Sequence, residues 1–484
     1  MTVTMDSQLW AEEQFGQCDL KDKRRTQRLV QVAASALCHP SGSLPEQAGD
    51  AADLKAAYRL FGCEDVTFED IVGPHWAQTR CRLPGTYLVL NDTTETDFGI
   101  RRKLRGMAHT GNGGGWGFLL HSALVVGAES EAIFGLAAQR IRYRKSAPKK
   151  ESSTRRLQRD RESVLWGQVI DQVGPPAEGV RWVHVMDRGA DNFEVYCHCR
   201  QQQADWVVRV TQKQRRVIAP DGETMGLTQY LDSLSSSGSY ELRLRARAAQ
   251  PKRGHKPARK AQPARTAKVE VRFGPLQIPF PRQKSPYLKG LPAVPISMWV
   301  VHAVEVDPPK DVEPVEWVLL TSLPVASFED AWRILGYYEK RWLIEEYHKA
   351  LKTGCRVESR HLQSKEGLER ITALLSVVAV RLLQLKSAAR TNPTLPARNL
   401  VPLHWIKMLL AARKRSKLTV AMTIREFYRE VAKLGGFLGR KSDGEPGWIT
   451  IWRGWQKLYM YIHGAELAQT IKLMWVQARP KGRA

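Results

Sequence analysis

Tyr338, Arg341, Glu345, Lys349 and Lys352 recur at three- and four-residue steps within the run Tyr-Glu-Lys-Arg-Trp-Leu-Ile-Glu-Glu-Tyr-His-Lys-Ala-Leu-Lys. At helical spacing those steps put a carboxylate, three cations and a phenol on one face. A solvated helix scatters its charges, and a core helix does not spend this face on Arg and Lys. The stripe reads as a surface for an anionic partner around one metal-binding carboxylate, and the simplest such partner is a phosphodiester.

Two aspartates supply the rest of such a site. Asp92 follows Tyr-Leu-Val-Leu-Asn, and Asp187 follows Val-His-Val-Met and opens Asp-Arg-Gly-Ala-Asp. Each reads as a carboxylate held at the end of a buried strand, where neighbouring strand ends can present two carboxylates to one metal pair. Glu345 makes a third. Hard divalent ions such as Mg²⁺ take oxygen ligands, and two of them roughly 3.5–4 Å apart serve phosphodiester displacement. Asp97, Asp191 and Glu346 stand close by in sequence as competing ligands, and Asp is in any case a common turn residue.

The elements that position these residues follow from periodicity. The first seventy or so residues read as helical, with Lys21, Lys23, Arg24, Arg25 and Arg28 leading into Leu29–Leu37 and a second segment around Leu54–Phe61. From Thr86 short β-branched or aromatic runs appear: Tyr87–Leu90, His121–Val126, Ile133–Gln139, Arg181–Met186 and Trp206–Val210. Helical patterns between the later runs favour an α/β sheet. The glycine run 111–117 lacks a Gly-Lys-Ser/Thr ending and reads as a hairpin turn. Residues 245–268 form a basic, proline-punctuated stretch between strand-like Tyr240–Leu244 and Val269–Phe273, expected to be a mobile loop. The last ninety residues return to helix, with a stripe of Trp448, Trp452 and Trp455 that reads as core or as a dimer seam.

Bulk composition agrees. The 484 residues exceed what one core fills, so two or three domains are expected. Lys plus Arg number 74 against 49 Asp plus Glu, a net charge of +25, while 43% apolar residues indicate a folded chain. Nucleic acid is the expected partner. Seven cysteines, mostly isolated, fit a reducing compartment; Cys197-His198-Cys199 lacks zinc-knuckle spacing. No signal pattern opens the chain, and the longest apolar run, Ile371–Leu385, is interrupted by Arg381. These features predict no membrane association and a cytoplasmic protein.

Tyr338, Arg341, Glu345 and Lys352 together spell Tyr-x2-Arg-x3-Glu-x6-Lys. With that signature the chain resembles the DDE transposases of bacterial insertion sequences and composite transposons, of the transposon-five type in the insertion-sequence-four family. The resemblance extends through Arg24-Arg25-Thr26-Gln27-Arg28-Leu29-Val30, Ala57-Tyr58-Arg59, Asp92-Thr93-Thr94, the Asp187 turn, Trp317-Val318-Leu319-Leu320-Thr321, Val380–Leu385 and Leu434-Gly435-Gly436-Phe437.

The resemblance implies a ribonuclease-H-like catalytic core with a β-rich insertion, flanked by helical N- and C-terminal domains. It implies Asp92, Asp187 and Glu345 as ligands of two Mg²⁺ ions, for which Mn²⁺ would substitute. Arg28 and Arg59 would touch transposon-end DNA. Tyr338, Arg341, Lys349 and Lys352 would hold phosphates beside a flipped base, Trp317 stacking on that base and Trp342 filling its gap. The expected domains are 1–72 for DNA ends, 73–391 for catalysis with an insertion at about 213–315, and 392–484 for dimerisation. The expected activity is cut-and-paste transposition through a hairpin intermediate, by a homodimer acting on terminal repeats and target DNA, in a bacterial cytoplasm and on the nucleoid when DNA-bound. A structure-specific nuclease and a non-catalytic end-binding regulator are the rival readings.

Overall fold

A computed structural model describes residues 7–111, 114–145, 147–148, 150–249, 251, 258, 261–310, 312–413, 417–440 and 443–477. Contacts divide the chain into two compact units, one of residues 1–75, 130–133 and 346–484 and the other of residues 76–129 and 134–345.

The second unit is built on a sheet. Among the described residues its strands are β1 (Gly85–Asp97), β2 (Ala108–His109), β3 (Trp116–Gly127), β4 (Ile133–Arg142), β5 (Val180–Met186), β6 (Asp205–Arg209), β7 (Arg216–Ile218), β8 (Thr224–Gly226), β9 (Gly238–Leu244), β10 (Arg265–Ile278), β11 (Ile296–Glu305) and β12 (Glu316–Thr321). They pair in the order β2-β3-β1-β5-β6-β12-β11-β10-β7-β8, with β4 on β3 and β9 on β10. The chain is mixed α/β: β1 runs antiparallel to β3 and parallel to β5, and β5 runs parallel to β6. Val89, Ala123, Val125 and Trp182 cover one face of that core under the helix Val164–Val173.

Strands β7 to β11 continue the same sheet through β12, which pairs with both β11 and β6. The glycine run is the β2–β3 connection, its strands in antiparallel register from Ala108 opposite Gly117; residues 112 and 113 lie outside the described residues. Of the basic stretch expected to be mobile, residues 250, 252–257, 259 and 260 likewise lie outside them. Its flanks are the antiparallel pair β9–β10.

One sequence expectation is corrected here. Asp92 does not end its strand. The parallel pairing with β5 stops at Asn91 opposite Met186, whereas β1 runs on to Asp97 with β3 as its partner. The polar residues after Asp92 are carried by that antiparallel hairpin.

The first unit is helical among its described residues. Its long helix Lys365–Thr391 has the length and apolarity to cross a membrane, yet its apolar window is 89% buried in the protein. Arg370 on it donates to the backbone carbonyls of Phe61 and Val66, and Arg360 donates to those of Pro40, Gly42 and Cys355. The helices Ile424–Leu434 and Trp448–Gln477 meet backbone to backbone. A Cβ at Gly454 would lie 1.7 Å from the Val431 carbonyl oxygen, and one at Gly435 would lie 1.9 Å from that of Thr450. Trp448, Trp452 and Trp455 are all buried, so the aromatic stripe belongs to the interior of this unit rather than to an exposed seam. Among its described side chains, the exposed large apolar residues of that helix are Ile449, Met460, Tyr461, Leu467 and Ile471.

Candidate active site

Because Asn91 and Met186 are register partners on the parallel strands β1 and β5, Asp92 and Asp187 follow side by side, and adjacent strands lie about 4.8 Å apart. Asp92 Oδ1 accepts its neighbour Thr93 N–H at 2.8 Å. Asp187 caps a short 3₁₀ turn, its Oδ1 accepting the Gly189 N–H at 2.7 Å. The turn is tight: a Cβ on Gly189 would meet both Asp187 Oδ1 and the Trp166 ring at 3.1 Å.

Burial and the negative charge of Asp187 push the Asp92 carboxyl up to about 6; the Thr93 N–H and Arg341 oppose this, and Glu345 adds to it. Asp92 therefore feels the charges of both Asp187 and Glu345. Arg341 sits among them, Nη1 3.7 Å from Asp92 Oδ2 and Nη2 hydrogen-bonded to Glu345. The Asp92 side chain is 18% exposed and that of Glu345 48%.

The competing carboxylates are engaged elsewhere. Asp97 accepts from the Gly99 N–H at 2.8 Å and from Thr110 Oγ1 at 3.0 Å. Asp191 is buried, pairing with Arg215 at 2.5 Å and accepting from Tyr196 Oη at 2.8 Å and from the Thr211 N–H at 2.6 Å. Glu346 pairs with Lys386. Glu95, the other acid beyond Asp92, pairs with Arg144 at 2.7 Å.

The stripe of residues 338–352 is not one continuous α-helix. Tyr338 lies near the end of the helix Phe328–Glu339; a tight turn at Lys340 and Arg341 follows, then the helix Trp342–Lys349, then a π-helical turn, Ala350–Gly354. Three-residue hydrogen bonds, Arg341 N–H to Tyr338 O and Leu343 N–H to Lys340 O, make the first break. The five-residue bond from Cys355 N–H to Ala350 O makes the second. Such π turns re-aim the side chains that follow and recur at functional sites.

Glu345 and Lys349 are exposed on the middle helix, and Trp342 opens it, partly exposed. Tyr338 is buried, with Trp317 edge-to-face against it at 5.2 Å between ring centres. In the helical unit Lys352 pairs with Glu358 at 3.0 Å. There too, Arg59 is exposed on the helix Ala51–Gly62 beside exposed Tyr58, while Arg28 pairs with Asp53 at 2.6 Å.

Two histidines beneath the aspartates went unnoticed in the sequence. His121 Nδ1 lies 2.7 Å from Thr93 Oγ1 and its ring meets Trp166 edge-on; His184 Nδ1 lies 3.0 Å from the Asn91 amide. Both are fully buried, and burial pushes each imidazole down to about 3. The one signal was a histidine inside an otherwise apolar strand, in Leu-Leu-His-Ser and Trp-Val-His-Val.

Three families match in succession. Residues 7–66 match Transposase DNA-binding, residues 161–380 match Transposase DDE domain, and residues 377–473 match Transposase Tn5 dimerisation domain. These are the domains of a DDE transposase. The DDE match contains Asp187 and Glu345 and begins beyond Asp92. DNA binding and homodimer formation follow from the flanking domains.

DDE transposase domains generally use divalent metal ions. Among the described residues no three His, Cys, Asp or Glu side chains are gathered tightly enough to hold an ion as they stand. The donor chemistry nevertheless fits: Asp92, Asp187 and Glu345 offer only carboxylate oxygens, the ligands of hard divalent cations.

Proposed function

We propose that this chain is a cut-and-paste transposase of the Tyr-Arg-Glu-Lys group whose site is Asp92, Asp187 and Glu345. The observation that carries the reading is the sorting of six carboxylates. Asp97, Asp191 and Glu346 are bound up in structural pairings, while Asp92 feels the charges of both Asp187 and Glu345 with Arg341 among them. The strand order β4-β3-β1-β5-β6, with β1, β5 and β6 parallel, supports a ribonuclease-H-like core.

Asp92, Asp187 and Glu345 would hold the Mg²⁺ ions, or Mn²⁺ in their place, which when bound supply charge neutralisation at the phosphodiester and activation of the attacking oxygen. The chain's own residues bind and orient. Arg341, Lys349 and Lys352 hold phosphates of the transposon end; Tyr338, expected to join them, is buried and instead braces Trp317 edge-to-face. The partly exposed Trp317 and Trp342 stack on a flipped base and fill its gap, offsetting the few kcal/mol of unstacking. Water first nicks one strand and frees its 3′-hydroxyl; flipping relieves the tight bend as that hydroxyl attacks the other strand to form a hairpin, water reopens it, and the 3′-hydroxyl joins target DNA. Arg28 and Arg59 contact the end repeat, and a homodimer pairs two ends.

The test is a labelled duplex carrying the terminal repeat beside the gene, incubated with protein and Mg²⁺ and run on denaturing gels, with Glu345→Ala alongside. The reading expects a hairpinned end from the unmodified chain only. Simple nicking would replace it with a nuclease, and a shifted but uncut duplex with an end-binding regulator.

A further inference from the structure

Glu345 and Glu346 are neighbours with opposite surroundings. Glu345 is half exposed, whereas the Glu346 side chain is 14% exposed and hydrogen-bonded to Lys386, itself 5% exposed on the long helix Lys365–Thr391. Lys386 also sits over the ring of Trp448, its Nζ 5.5 Å from the centroid. Trp448 opens the helix Trp448–Gln477 and stacks in parallel with Trp452, 6.3 Å away. The same two rings back the turn after the catalytic helix: a Cβ on Gly354 would lie 3.4 Å from Trp448 and 3.9 Å from Trp452.

A buried lysine between a carboxylate and an aromatic face is costly to desolvate, and its charge is recovered only if both partners hold station. Adjacent residues on a helix point about 100° apart, so fixing Glu346 inward fixes the outward direction of Glu345. We propose that Lys386 is a positioning residue for Glu345, clamping the catalytic helix through Glu346 against Trp448 of the dimerisation domain. Lys386 touches neither substrate nor the reacting atoms; it determines where the third carboxylate stands. The inference rests on the reading of Glu345 as a metal ligand.

The test uses the full chain assembled on a duplex of its terminal repeat, with Mn²⁺ binding followed by electron paramagnetic resonance. The Glu345-dependent part is defined by comparison with Glu345→Ala. Lys386→Met and, as a milder change, Glu346→Gln are expected to weaken that part about tenfold or more, as loss of an orienting partner does. DNA binding by gel shift should be retained and Lys386→Arg should restore Mn²⁺ affinity. Lys386→Met and Glu346→Gln proteins that bind Mn²⁺ like the unmodified chain while melting at lower temperature would overturn the inference, leaving the pair a packing feature. Absence of any Glu345-dependent Mn²⁺ binding would overturn the ligand reading itself, and this inference with it. Failure of end cleavage with that binding intact would strike the transposase reading alone.

Discussion

The guanidinium of Arg341 reaches two of the three site carboxylates, standing 3.7 Å from Asp92 and hydrogen-bonded to Glu345. It neutralises charge that divalent ions would otherwise neutralise, and a phosphate arriving at the site would draw it away. Replacing it by glutamine should therefore destabilise the metal-free protein by about 2 kcal/mol, the scale of a hydrogen bond to a charged group. Mg²⁺ should reduce the deficit. Thermal unfolding in EDTA and in Mg²⁺ reads this directly, and an equal loss in both would mean that Arg341 serves packing alone.

Asp92 carries a standing cost. Its carboxyl is raised from 3.8 to about 6, so the folded protein opposes its ionisation. That burden is fully present above pH 6 and absent below 3.8, where folded and unfolded chains are both protonated. Asp92→Asn should stabilise the metal-free protein at pH 8 by up to about 3 kcal/mol, and by nothing at pH 3.5, while abolishing end cleavage. A destabilised variant at pH 8 would contradict the account.

The buried histidines set the acid limit. Their imidazoles are pushed down to about 3 from 6.5, so between those values only the unfolded chain takes up the protons. Stability is unaffected above pH 7 and falls below 6.5, each histidine contributing a slope of up to about 1.4 kcal/mol per pH unit. Urea unfolding from pH 7 to 5 should show a shallower fall in His184→Gln than in the unmodified chain. Parallel slopes would place the acid sensitivity elsewhere.

The N-terminal cations should separate. Arg59 is exposed, and Arg59→Ala should weaken end binding and reduce its salt slope by about one. Arg28 is held by Asp53, so Asp53→Asn should release it and remove an opposing charge, tightening binding. Fluorescence anisotropy with a labelled repeat at several salt concentrations measures both. Weaker binding by Asp53→Asn would show that the pair presents Arg28 correctly as it stands.

The candidate residues were legible because they stand in short-range patterns. An apolar run followed by Asp marked Asp92 and Asp187 as candidates, the β1–β5 pairing made them neighbours, and the spacing around Glu345 marked its helix. Other features depend on long-range contacts that no spacing encodes. Spacing singles out Glu345 from Glu346, but not what holds Glu346, which is Lys386, forty residues later. Asp92 looked like a strand end because the polar residues after it are strand only by virtue of pairing with β3. The tryptophan stripe left core and seam undecided until the helix Ile424–Leu434 was seen to press on Trp455 through Phe427.

Among the described side chains of the helix Trp448–Gln477, Ile462 is the last buried one, and the helix continues for fifteen more residues, about 22 Å. Residues 463–469 and Ile471 are all exposed. Pairing through a dimerisation domain requires two chains to meet by collision, so assembly follows the square of protein concentration. Halving expression would cut the paired form about fourfold wherever monomers predominate. The mobility of the element would then be throttled by its own scarcity, with no repressor required.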